Sequence, residues 1–151
     1  MLIGLAFHVL GAVIWVGGMF FAYVVLRPSA GPLEPPVRLS LWDRVFSRFF
    51  LWVWLSVAAL LGSGLVMVFA EFGGFAGTSA YVRAMMTLGI VMILIFAHVY
   101  FAPWQRFHRA VAASDWPAAA KAIEQIRRMV GINLILGVLT VIVGASGRYF
   151  I

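Results

Sequence analysis

Three histidines and seven methionines are the soft or borderline metal ligands this chain possesses, because it contains no cysteine. The first histidine, His8, stands in "FHVLGAVIWVGG", inside an apolar run. The second, His98, ends the apolar stretch "TLGIVMILIFAH". The third, His108, follows among Gln105, Arg106 and Arg109 and reads as an exposed interfacial histidine. A titratable imidazole in hydrocarbon is costly to keep, so His8 and His98 are functional candidates by default. Each has three roles open to it: metal ligand, proton carrier, or hydrogen-bonded packing residue. A neutral imidazole near methionine sulfurs suits copper(I), which prefers soft ligands. The same atoms suit His/Met ligation of haem iron. A single methionine is more often a gap filler than a ligand. Without cysteine there are no disulfides, thiolate metal sites or iron–sulfur clusters.

These side chains must be held by membrane helices. The chain of 151 residues is 64% hydrophobic and 11% charged, against about 25% charge in a soluble domain. A bilayer core needs about 20 mostly apolar residues per helix, and four stretches qualify: 2–26, 46–70, 81–104 and 130–148. The expectation is an all-α integral membrane protein, one domain forming an antiparallel bundle of four transmembrane helices. The first stretch lacks a basic leader and exceeds a signal-peptide core, so it reads as a retained span. "RPSAGPLEPP" (Arg27–Pro36) reads as a loop. Ser40 and Asp43 resemble a capping box opening the second helix. Asp115 with Pro117 reads as the start of a helical lead-in to the fourth span.

Charge sets the orientation. Arg27, Arg38, Arg44 and Arg48 lie in the first connection, and Arg106, Arg109, Lys121, Arg127 and Arg128 in the third. The second connection holds Glu71 and Arg83 near its ends. By the positive-inside rule the first and third connections are cytoplasmic and both termini lie outside. The formal net charge of +6 is then a topology and lipid-anchoring signal, and no basic patch with stacking aromatics points to nucleic acid.

Small and polar residues mark helix contacts in lipid. Helical spacing aligns His8, Gly11, Ala12, Trp15, Gly18 and Met19 on the first span, and Ser56, Ala59, Ser63 and Met67 on the second. On the third it aligns Thr87, Val91, Leu94 and His98, and on the fourth Asn133, Gly137, Thr140 and Gly144. The glycines serve close packing, or a groove open to a planar cofactor. His8 lies about six residues from its outer end and His98 about seventeen from its own, a depth difference of roughly 16 Å. Two axial nitrogens on one haem iron stand about 4 Å apart, so the two histidines belong to different layers. The outer layer collects His8, Met67, and Met85 or Met86. The inner layer collects His98, Asn133, Ser56, and Met19 or a tryptophan of "WVW" (Trp52–Trp54), with Thr140 between. Asn133 is the expected partner of His98. No phosphate loop, nucleophile elbow or His-Glu-x-x-His motif occurs, and the five acidic residues all lie at or beyond span ends.

The stretch "HVLGAVIWVGGMFFAYVVLRP" resembles the CopD copper-resistance family, with His8, Trp15, Gly17, Gly18, Leu26, Arg27 and Pro28 at that family's positions. "VFSRFFLWVWLSVAALLGSGLVMVF" resembles the family's next span. The resemblance implies copper handling at a bacterial inner membrane. Combined with the outer layer of residues, the expectation is a copper(I) site reached from outside, formed by His8, Met67 and Met85 or Met86, with Ser63, Thr87, Trp15 and Asn133 as supporting polar or structural residues. Membrane lipids, a periplasmic copper-binding protein and a second copy of the chain are the partners this leaves open. The same region is similar to HemJ-type protoporphyrinogen oxidases, at His8, Trp15, Gly18 and His98, which implies haem b. This sequence has Thr87 where those proteins carry a lysine, and no histidine near Ser29. A third alternative is a non-catalytic membrane subunit whose histidines only join helices.

Overall fold

The computed structural model describes residues 2–149, and they are helical nearly throughout. Helix α1 (Leu2–Phe20) runs into a π-helical segment (Phe21–Leu26) and the short α2 (Arg27–Ala30). Helix α3 spans Pro35–Phe72, α4 Ala80–Phe101, α5 Pro103–Ala112 and α6 Trp116–Ser146. Among the described residues, four helical stretches are long and apolar enough to cross a membrane: Leu2–Ala30, Pro35–Phe72, Ala80–Ala112 and Trp116–Ser146. Their outward surfaces carry Leu5, Val13, Leu51, Leu65, Leu94 and Ile135, all exposed. A polar solvent would penalise such a surface and lipid does not.

The helices extend well beyond the apolar cores. "RPSAGPLEPP" is not one loop: Arg27–Ala30 is helical, and only Gly31–Glu34 turns the chain. Prolines do not prevent this: Pro35 and Pro36 sit in the first turn of α3, where a backbone N–H would find no partner in any case, and Pro28 follows the π-helical segment that carries α1 into α2. Ser40 and Asp43 therefore lie inside α3 and cap nothing. The cap position is Glu34, without a side-chain bond. Asp115 does cap α6, accepting the Ala118 N–H at 3.1 Å. At the other end of α3 the chain reverses through Gly73 and Gly74, at φ +66° and +117°, conformations that a side chain would strain.

Contacts along the bundle define antiparallel registers. On α1 and α3, Gly11 lies against Ser56, Ala59 and Leu60, and Gly18 against Phe49. On α1 and α6, Val16 fills the space at Gly137, and the Tyr23 ring covers Gly131. On α4 and α6, Met85 meets Gly144 and Tyr81 meets Gly147. The Arg-rich half of the bundle is an aromatic core. Phe50 stacks on Phe46 (5.1 Å between ring centroids) and meets Trp104, Phe96 and Tyr100 edge-on at 5.3, 5.5 and 6.2 Å. Those rings come from α3, α4 and α5 at spacings of four, which places successive rings on one helix face. Helix α5 packs Trp104 and Phe107 into this core and turns Arg106, His108 and Arg109 outward. Arg106 donates to Gln125 of α6 at 2.7 Å.

Candidate functional site

His8 sits in the α1–α3 seam. Its Nδ1 is 3.0 Å from Ser63 Oγ, and its Cε1 lies 3.4 Å from where a Cβ on Gly64 would stand. A side chain at 64 would therefore meet the ring at ordinary contact distance. Ser63 Oγ also lies within hydrogen-bond distance of the Ala59 and Leu60 carbonyls of its own helix. A hydroxyl whose hydrogen goes to one of those carbonyls accepts from Nδ1–H of His8, and Nε2 is then the nitrogen with the free lone pair. A histidine that ligates a metal is commonly held this way, one nitrogen anchored by a hydrogen bond and the other presented.

The methionines differ from one another. Met67 follows Ser63 by one turn and lies on the same face of α3. With Trp15 of α1 level with Phe96 of α4 at 6.0 Å, Met85 and Met86 stand roughly one turn nearer the termini than His8. Met85 Sδ lies over Gly144 of α6, whereas His8 faces α3. All three methionines are half-buried. Thr87 is exposed and donates to the Arg83 carbonyl at 2.9 Å. Trp15 is buried against Phe96. Among the described residues no group of three or more His, Asp or Glu side chains gathers to hold a metal ion.

The expected pair of His98 and Asn133 does not form. His98 is exposed on the outer surface of α4. Asn133 is buried on α6 and donates from Nδ2 to the Met92 carbonyl at 3.3 Å. The two residues match in sequence depth but lie on different faces, which depth alone does not distinguish. Asn133 Oδ1 finds no partner among the described residues and borders a void of ≈ 10 Å³, about the least a water requires. Ser56 is likewise buried with an unpartnered hydroxyl. Met19 is buried in the core, Trp54 packs against it, and Trp52 is exposed.

Met92, which sequence spacing did not single out, is the methionine that polar groups meet. Its carbonyl takes the Asn133 bond, and its sulfur lies 3.8 Å from Thr140 Oγ1. The glycine stripe of α6 is packing surface and not an open groove. A Cβ at Gly137 would come within 2.9 Å of Val16 Cγ2 and 3.1 Å of Met92 Cε, and one at Gly144 within 2.7 Å of Met85 Sδ. Side chains of the neighbouring helices already occupy the space a porphyrin face would need. His108 is about half-exposed but not free: its Nδ1 lies 2.7 Å from Asp43 Oδ1, and its ring rests on Trp104 at 5.3 Å.

Comparison with known proteins places this architecture. A protein of Aquifex aeolicus (strain VF5), described as uncharacterized, is 29% identical over 148 residues, covering 93% of this chain and 90% of that one. No solved structure matches the chain. The family model for copper resistance protein D matches residues 43–146, from the third turn of α3 to the end of α6. The described residues of that stretch hold three of the four apolar helices, and the match covers more than half of the chain. This multi-pass membrane protein belongs to the CopD family.

Proposed function

We propose that this CopD-family protein handles copper(I) as cargo at the end of the bundle that carries both chain termini, with His8 as the ligand that receives it. The observation that supports it is the anchoring of His8 Nδ1 on Ser63 Oγ, 3.0 Å away; with the Ser63 hydrogen on a carbonyl of its own helix, Nε2 keeps the lone pair a metal needs. His8 precedes the matched residues 43–146, so its role rests on this geometry. Met67, one turn beyond Ser63 on the same face of α3, would supply a thioether sulfur that copper(I) favours, and Met85 or Met86, roughly one turn nearer the termini on α4, would offer another to an ion being passed on. A site of one imidazole and one or two thioethers holds the ion loosely, which suits passing it on. By the positive-inside rule the basic connections support a cytoplasmic position for the opposite end of the bundle in a bacterial inner membrane, with the His8 end outside. A periplasmic copper-binding protein is the natural donor or acceptor there.

The test is a copper(I) titration of the detergent-purified protein against a colorimetric chelator. The expected result is one saturable site in the parent, lost in His8→Ala and weakened in Met67→Leu. Unchanged copper stoichiometry in His8→Ala would refute the assignment.

A further inference from the structure

At the opposite end of the bundle from His8, three arginines from three parts of the chain line one cleft. Arg27 lies in α2, Arg38 in the first turns of α3, and Arg127 in α6. Tyr23, Pro28 and Gly31 complete the lining, and the cleft has a volume of ≈ 450 Å³. That falls within the roughly 300–1,000 Å³ of small-molecule sites.

The register of the bundle explains the convergence. The Tyr23 ring covers Gly131 of α6, within 3.1–3.2 Å of where a Cβ would be. One turn further along each helix, Arg27 and Arg127 come opposite each other. The Arg27 guanidinium lies over the Tyr23 ring, 4.9 Å from its centroid. The π-helical segment Phe21–Leu26 immediately precedes Arg27 and resets the face on which it emerges. Arg38 is anchored to the turn that forms the cleft wall: its Nη1 donates to the Gly31 carbonyl at 3.1 Å and to the Leu33 carbonyl at 2.9 Å.

The charge here is not balanced. Among the described residues the one carboxylate paired with any of the three is Glu124, 3.5 Å from Arg127 and itself mostly exposed. The charges of Arg27 and Arg38 both bear on Arg127. Arg127 Nε–H is buried without an acceptor among the described residues. Like charges brought together with an unmet donor are unfavourable unless an anion completes the site. Guanidinium forks match the oxygens of a phosphate.

We propose that this cleft is a phosphate-binding site, taking the phosphodiester of an anionic phospholipid headgroup or a free phosphate. It stands apart from the proposed copper site and does not depend on it. The test uses the intact, delipidated protein in a neutral detergent. Binding is read as thermal stabilisation on titration with short-chain phosphatidylglycerol, phosphatidylcholine of the same chain length, or inorganic phosphate. Phosphatidylglycerol should stabilise saturably and phosphatidylcholine should not. Arg27→Gln with Arg127→Gln should weaken that binding about tenfold or more, while Arg44→Gln with Arg48→Gln, the same charge change on exposed α3 positions, should not. Should the glutamine pair fail to fold, Arg27→Lys with Arg127→Lys keeps the charge, loses the fork and should weaken binding less. Stabilisation by inorganic phosphate with the same arginine dependence supports the site with a free anion as its ligand. Equal weakening by the two double variants, or no response to either anion, overturns the proposal.

Discussion

Replacing Ser63 by alanine tests whether one hydroxyl sets the chemistry of His8. Ser63 is buried, and its oxygen lies 3.0 Å from His8 Nδ1 and within hydrogen-bond distance of the Ala59 carbonyl. Removal deletes one interhelical hydrogen bond and one bond within α3, and frees the ring to turn or change tautomer. Interhelical hydrogen bonds in membranes average about 0.6 kcal/mol, and a half-buried donor left without its acceptor adds to that. The expected loss of fold stability is about 1 kcal/mol. Removing the partner that orients a metal-binding histidine costs 10–100-fold in affinity, or about 1.4–2.8 kcal/mol. Copper affinity should therefore fall further than stability. Copper(I) competition titration gives the first quantity and a denaturing-detergent unfolding midpoint the second. Gly64→Ala is the steric control, because its Cβ would rest 3.4 Å from His8 Cε1, ordinary contact distance, and should change affinity less than threefold by the same arithmetic. If Ser63→Ala binds copper as tightly as the parent through an intact His8, the hydroxyl does not orient the ring.

Three further outcomes concern the frame. Gly137→Val should lower the unfolding free energy by about 2 kcal/mol or more, read as a lower unfolding midpoint, since even a Cβ would stand 2.9 Å from Val16 and 3.1 Å from Met92; an unchanged midpoint would mean α1 and α6 are not so close. Phe50→Ala removes a ring in contact with Phe46, Phe96, Tyr100 and Trp104. It should cost about 3 kcal/mol, and tryptophan emission, read through Trp104, should shift along with stability. Asp115→Ala deletes the side-chain cap of α6 and should cost about 1 kcal/mol, with Asp115→Asn recovering most of it in the same unfolding assay.

Much of the fold was legible along the chain because a membrane helix is dictated locally. Every backbone group must bond within the helix, and about 20 apolar residues suffice to announce it. The four apolar helices were visible this way, as was the cap at Asp115. The helix ends were less legible. Arg27–Ala30 and the first turns of α3 are polar and proline-rich; Arg27–Ala30 continues the first span through its π-helical segment, and the prolines that open α3 are harmless in a first turn. Helix α5 was hidden for a similar reason: its sequence is charged, and only its i, i+4 aromatics, Trp104 and His108, hint at a helical face.

The composition and spacing alone singled out His8 as a costly imidazole, gave Ser63 a place on an inward face, and made Met67 its neighbour by one turn. Those are properties of one helix at a time. Which helix each face meets is a property of the assembly, and only the tertiary structure decided it. It put Ser63 and Gly64 under the His8 ring, turned His98 outward, and gave Asn133 to Met92. It closed the α6 glycine stripe with Val16, Met92 and Met85, and moved Asp43 from a helix cap to a partner for His108. It also drew Arg27, Arg38 and Arg127 around one cleft, from positions up to a hundred residues apart that nothing in the chain's local pattern connects. Periodicity reports the rotation of a residue about its own axis, and the partner of a face is set by which helices pack side by side.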